Sequence, residues 1–135
     1  MLHRIIGRRP DLALLILRFA VGIVFLQHGI AKFQMGIENV AKYFISLHIP
    51  LAGFFAWIVA IVETFGGLGL ILGFGTMVAS LLISIDMLVA IFTAKAGKPL
   101  IGGFELELTL LAANLALLFS GSGRYSLEHL WKKVA

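Results

Sequence analysis

The chain has 135 residues, of which 60% are hydrophobic and 13% charged, with a formal net charge of +4 and no cysteine. Soluble domains carry about a quarter of their residues as charges, so this composition, with a mean hydropathy of +1.02, points to lipid as the solvent. The missing cysteines exclude disulfides, thiol catalysis, cysteine zinc sites and cysteine-ligated iron–sulfur clusters.

The length suits one transmembrane domain spanning 1–135. Four apolar stretches follow in order: Leu12–Phe33, Leu51–Leu72, Thr76–Ala94 and Leu100–Phe119. Each holds about 20 residues, enough to cross a hydrocarbon core as a helix. The expected fold is therefore an all-α antiparallel bundle of four transmembrane helices. Arg4, Arg8 and Arg9 precede the first stretch. That stretch is too long for a signal-peptide core and carries Arg18 inside it, so it is read as retained. The arginines are read as orienting a membrane segment, because no aromatic–basic surface accompanies them to indicate nucleic acid.

The connection 34–50 carries Glu38, Lys42, Tyr43, His48 and Pro50 and predicts a short interfacial helix with Tyr43 and Phe44 at headgroup level. Gly73-Phe74-Gly75 predicts a tight turn between antiparallel neighbours. Four crossings put both termini on one side, which collects Arg4, Arg8, Arg9, Arg124, Lys132 and Lys133. The other side collects Lys32, Lys42, Lys95 and Lys98. That bias favours cytoplasmic termini in a bacterial inner membrane. His3, His48 and His129 read as surface residues.

The run VETFGGLGLILGFG puts Glu63 where no other charged residue lies between Lys42 and Asp86. An ionised group at the bilayer centre costs roughly 2.5–3.5 kcal/mol. The chain embeds five candidates, Arg18, Glu63, Asp86, Glu105 and Glu107, with Gln27, His28 and Asn114 adding polarity, so most should face one another. Counting helical rise from the terminal side, Arg18 lies about 9 Å deep, Glu63 about 14 Å and Asp86 about 15 Å. The expected inner layer is an Arg18–Glu63 ion pair with Asp86 beside it. An outer layer places His28 and Lys32 opposite Glu105 and Glu107 as candidate ligand-binding residues. His28 and Glu105 are expected to line a cavity between the first and fourth spans. Gly66, Gly69 and Gly73 follow Glu63 as a smooth stripe, and Gly22 and Gly29 share a face with Arg18, so the first two spans should approach closely there. Gly67 joins this packing set. Gly102 and Gly103 would admit a ligand or a backbone beside Phe104 and Glu105. No metal motif is present.

The segments LLILRFAVGIVFLQHGIAKF, ETFGGLGLILGFGT and GGFELELTLLAANLALLFSGSGRYSLE together resemble the DoxX family of small four-helix bacterial membrane proteins. The resemblance touches all four spans and nearly half the chain. It points to Arg18, His28, Gly29, Lys32, Glu63, Gly66, Gly67, Gly102, Gly103, Phe104, Glu105, Gly121, Gly123, Arg124 and Ser126. Asp86 departs from it, standing where the family would have an apolar residue. The resemblance implies links to quinone-dependent thiosulfate oxidation or to membrane redox-defence complexes, with quinone as the ligand and redox proteins or a second copy as partners. Three classes follow: a quinone-linked redox subunit, a carrier of protons or small solutes, and a scaffold for soluble partners. Nucleic acid is not among the expected partners, and no self-contained catalytic motif is present.

Overall fold

A computed structural model describes residues 7–134, with backbone alone at 133 and 134; His3, Arg4 and the Lys133 side chain lie outside it. The helices are α1 (Pro10–Met35), α2 (Ile37–Ser46), α3 (Ala52–Leu72), α4 (Thr76–Phe92), α5 (Glu105–Ser120) and α6 (Leu127–Val134). The protein is an all-α membrane bundle in which α1, α3, α4 and α5 are the long apolar elements.

Length and hydropathy qualify α1, α3 and the segment Leu100–Ser120 to cross a membrane, and α4 adds a shorter apolar helix of 17 residues, about 25 Å of rise. The outward faces are apolar, with Phe65, Phe92 and Phe119 among the most exposed side chains. A surface of this kind belongs in hydrocarbon. The core is a single cluster running from Val21 and Phe25 through Leu70, Ile83 and Met87 to Leu110 and Leu117.

Glycine sets the tightest contact. A Cβ on Gly67 would meet the backbone of Leu26 and the carbonyl of Gly22, and one on Gly29 would overlap the backbone of Thr64. With no Cβ at these points, α1 and α3 pack backbone to backbone. Gly67, outside the expected stripe, is the α3 glycine that faces the α1 backbone; of the stripe itself, Gly73 meets the Arg18 side chain and Ser126. Gly66 instead faces Ile83 of α4, and Gly69 sits against the Phe74 carbonyl. Gly73 and Gly75 take left-handed φ of 71° and 63°, which lets three residues reverse the chain between α3 and α4.

The same close packing fixes the register of α1 on α3, and it overturns the expected Arg18–Glu63 pair. Arg18 is fully buried and donates from Nη1 to the Leu70 carbonyl (2.9 Å) and the Ile71 carbonyl (3.4 Å), and from Nη2 to the Tyr125 carbonyl. Glu63 lies about 12 Å farther along α3. The depth count failed because it set the helix ends in one plane. In fact α1 runs two turns past the end of α3, where the C-terminal segment flanks it: Gly123 packs on Leu14, and the Arg124 amide donates to Asp11 Oδ1 (2.9 Å). Arg18 therefore satisfies carbonyls that the last turn of α3 leaves without partners. The Glu128 side chain accepts from the Thr76 amide (2.6 Å) at the start of α4, and the Glu128 amide donates to the Gly73 carbonyl (3.0 Å).

At the opposite end, α2 lies across α3 with Val40 as its one buried residue. His48 and Leu51, both non-glycine, adopt positive φ of 61° and 51° and fold the chain back sharply into α3.

Candidate functional site

A cavity of about 590 Å³ lies between the α2 end of the bundle and the middle of the spans, with contributions from α1 to α5. Its wall is mainly apolar. Ile58, Val59 and Val62 of α3 face Leu82, Ile85 and Val89 of α4 across it. Into this wall project His28 and Lys32 from α1, Glu63 from α3, Asp86 from α4 and Glu107 from α5. An apolar cleft with a few convergent polar groups is the usual form of a small-molecule site.

The polar groups are organised. Lys32 forms an ion pair with Glu63, whose side chain is almost completely buried. This is the partner that answers the isolated acid of the sequence. Asp86 lines the same space, and its Oδ2 is buried with no hydrogen-bond partner among the described residues. One ammonium, Lys32, thus stands in a cavity with two carboxyl groups, Glu63 in its ion pair and Asp86 outside it. Lys95 sits 3.7 Å from Glu107 at the edge of the site, and Glu107 Oε2 is buried without a hydrogen bond among the described residues. His28 is half-buried and held edge-on to Phe25, the ring centroids 6.2 Å apart.

Glu105 does not line the cavity. It is exposed, and its Oε1 accepts weakly from the Gly102 amide (3.4 Å). The reason is local: Leu100–Phe104 is one wide turn, with Ile101 extended (ψ 124°) and Gly102 at φ 76°, so the regular helix starts at Glu105. That offset rotates Glu107 inward and Glu105 outward. The cavity is accordingly not a slot between α1 and α5; α3 and α4 supply the largest share of its wall. A Cβ at Gly102 would find open space, whereas Gly103 is packed against Lys98 and Pro99 within the turn itself.

Tyr43, His48 and Thr93 also line the cavity, and the sequence reading passed over them in that role. His48 reads as a loop residue; the fold-back after α2 brings it over the site. Only the Pro50 that follows hinted at a fixed turn. Among the described residues no group of three or more His, Asp or Glu is placed to hold a metal ion.

The DoxX family profile matches residues 13–96, the segment that carries His28, Lys32, Glu63 and Asp86. The chain is 32% identical over 118 residues to a Bacillus subtilis (strain 168) protein named "Putative oxidoreductase CatD", covering 87% of this chain and 86% of that one. It is 35% identical over 132 residues to "Uncharacterized membrane protein Rv3486" of Mycobacterium tuberculosis (strain ATCC 25618 / H37Rv), covering 88% and 81%. No solved structure matches. The profile covers well over half of a chain built as a four-helix membrane bundle, and the chain belongs to the DoxX family.

Proposed function

We propose that this chain is a membrane subunit of a redox system that binds a quinone in the cavity. The supporting observation is the cavity itself: an apolar space of about 590 Å³ with an ammonium, an imidazole and a carboxyl pair converging in it. A quinone ring needs an apolar slot and hydrogen-bond donors at its two carbonyl oxygens. Lys32 and His28 are the donors in this reading. Reduction of a quinone consumes two electrons and two protons. The electrons come from a redox partner protein, in keeping with the oxidoreductase name of the Bacillus relative. The protons are the task of this chain. Asp86 is the group this reading assigns to pass them, since its Oδ2 has no partner among the described residues while Glu63 is paired with Lys32; the unpartnered Oε2 of Glu107, on the same cavity, is its relay. The termini lie in the bacterial cytoplasm in this reading, because the sequence gives that side six basic residues, Arg4, Arg8, Arg9, Arg124, Lys132 and Lys133, against Lys32, Lys42, Lys95 and Lys98 on the other.

A carrier would need a second polar station along its path. The natural one, Arg18, is occupied by backbone carbonyls, so the quinone reading is preferred. Titration of menaquinone or ubiquinone analogues into the chain in lipid nanodiscs tests it. The wild type and Glu105→Gln should bind equally, and Lys32→Met and Asp86→Leu should bind at least about tenfold more weakly, the loss of one charged hydrogen bond. Absence of binding by the wild type, or proton flux through the protein in liposomes that both cavity variants abolish, overturns it.

A further inference from the structure

A second cavity, of about 490 Å³, lies at the end that carries the termini, far from the first. It is lined by Arg8 and Arg9 before α1, by Leu12 and Leu15 on its first turns, and by Tyr125 of the C-terminal segment. The walls are fixed in place. Tyr125 gives its carbonyl to the buried Arg18, and the Arg124 amide is tied to Asp11. Asp11 also lines the space, but its Oδ1 is already taken by that amide. Neither Arg8 nor Arg9 is in an ion pair with any described residue. The site therefore sets two guanidinium groups against the single Asp11 carboxylate, a surplus of positive charge, above the side chains of Leu12 and Leu15.

Its depth follows from α6. Glu128 points into the bundle to cap α4, while Leu127, Leu130 and Trp131 are exposed and Lys132 lies beside them. A short helix with that division lies in the membrane interface, its apolar side chains among the upper acyl carbons and its lysine among the headgroups. The cavity beside it is thus at headgroup level.

We infer that Arg8, Arg9 and Tyr125 form a binding site for one anionic phospholipid. The guanidinium forks take its phosphate, and Leu12 and Leu15 take the glycerol end of an acyl chain. The apolar wall and the depth select a lipid over free phosphate. This inference does not depend on the quinone reading, since it uses no residue of the first cavity.

Native mass spectrometry tests it on the full chain released from nanodiscs of equal phosphatidylglycerol and phosphatidylcholine. Each arginine near a membrane surface contributes about a fivefold preference, so the wild type should retain phosphatidylglycerol by about 25-fold. Arg8→Gln/Arg9→Gln should retain the two lipids about equally, and Lys42→Gln, an exposed charge on α2 at the other end, should behave as the wild type. If the glutamine variant fails to insert because its orienting charge is gone, Arg8→Lys/Arg9→Lys decides. It preserves the charge that sets the preference between the two lipids but not the bidentate fork on the phosphate, so it should keep the preference while retaining several-fold less lipid in total. Undiminished preference in the glutamine variant, or undiminished total retention in the lysine variant, overturns the site, leaving only a diffuse surface charge. Displacement of the lipid by millimolar inorganic phosphate overturns the lipid as occupant.

Discussion

The two ends of the bundle handle buried charge in opposite ways. At the terminal end, Arg18 is sealed in and spends its donors on three backbone carbonyls. Two of these lie at the end of α3 and the third in the C-terminal segment. At the other end, Lys32, Glu63 and Asp86 meet in a space large enough for a ligand, with a carboxylate oxygen left unpartnered. The first arrangement is closed, because every strong donor but Nε has an acceptor and no room remains. The second is open, because Asp86 stays outside the Lys32–Glu63 pair and the three side chains border the cavity. Buried charge in a membrane protein is thus a pointer to function only where geometry leaves it incompletely answered.

The sharpest break in that comparison comes from Arg18→Leu. It removes charge-assisted bonds from the Leu70, Ile71 and Tyr125 carbonyls, the first of them fully buried, and should destabilise the protein by about 4 kcal/mol in thermal unfolding, with Arg18→Lys recovering less than half. Quinone affinity well below the unfolding temperature should not change. Next in size is Gly67→Val, which drives a side chain into the α1 backbone and should cost about 2–3 kcal/mol. Gly53→Ala, where a Cβ meets nothing within 4 Å, should instead stabilise by up to about 1 kcal/mol through helix propensity. Double-mutant cycles compare the two ends directly. Lys32→Met with Glu63→Gln should show a coupling of about 1–3 kcal/mol, while Arg18→Leu with Glu63→Gln should be additive within about 0.5 kcal/mol. The smallest effect belongs to Glu105→Gln, exposed on the first turn of α5, which should shift stability by no more than about 0.5 kcal/mol.

The membrane fold was legible because hydropathy is a sum over about 20 residues and tolerates local error. The three-residue reversal at Gly73-Phe74-Gly75 was legible for a different reason: two glycines around one residue supply the positive φ that a tight turn needs. The site was legible in its members more than in its pairing. Glu63, Asp86 and Glu107 were singled out by the cost of burying them and His28 and Lys32 by their depth on the first span, and all five line the cavity. Their pairing depends on axial register, and hydropathy does not record how far one helix slides past its neighbour. Two turns of offset were enough to exchange Arg18 for Lys32 as the partner of Glu63. Angular phase was lost in the same way at Glu105, where one wide turn reset the helix. His48 was not legible as a wall residue, since Pro50 hints only at a turn and the place of His48 is set by how α2 folds back.

The glycine contact between α1 and α3 has a mechanical consequence. Two helices touching through their backbones have no side-chain layer in which to slide, so they move as one body. Lys32 rides on one and Glu63 on the other, and their separation is held constant by the scaffold. Asp86 rides on α4, outside that body. Any breathing that widens the cavity therefore leaves the ion pair intact and changes the separation of Glu63 from Asp86. Under the proposed function, a cross-link from α1 to α3 should leave quinone exchange as it is, and one from α3 to α4 should slow it.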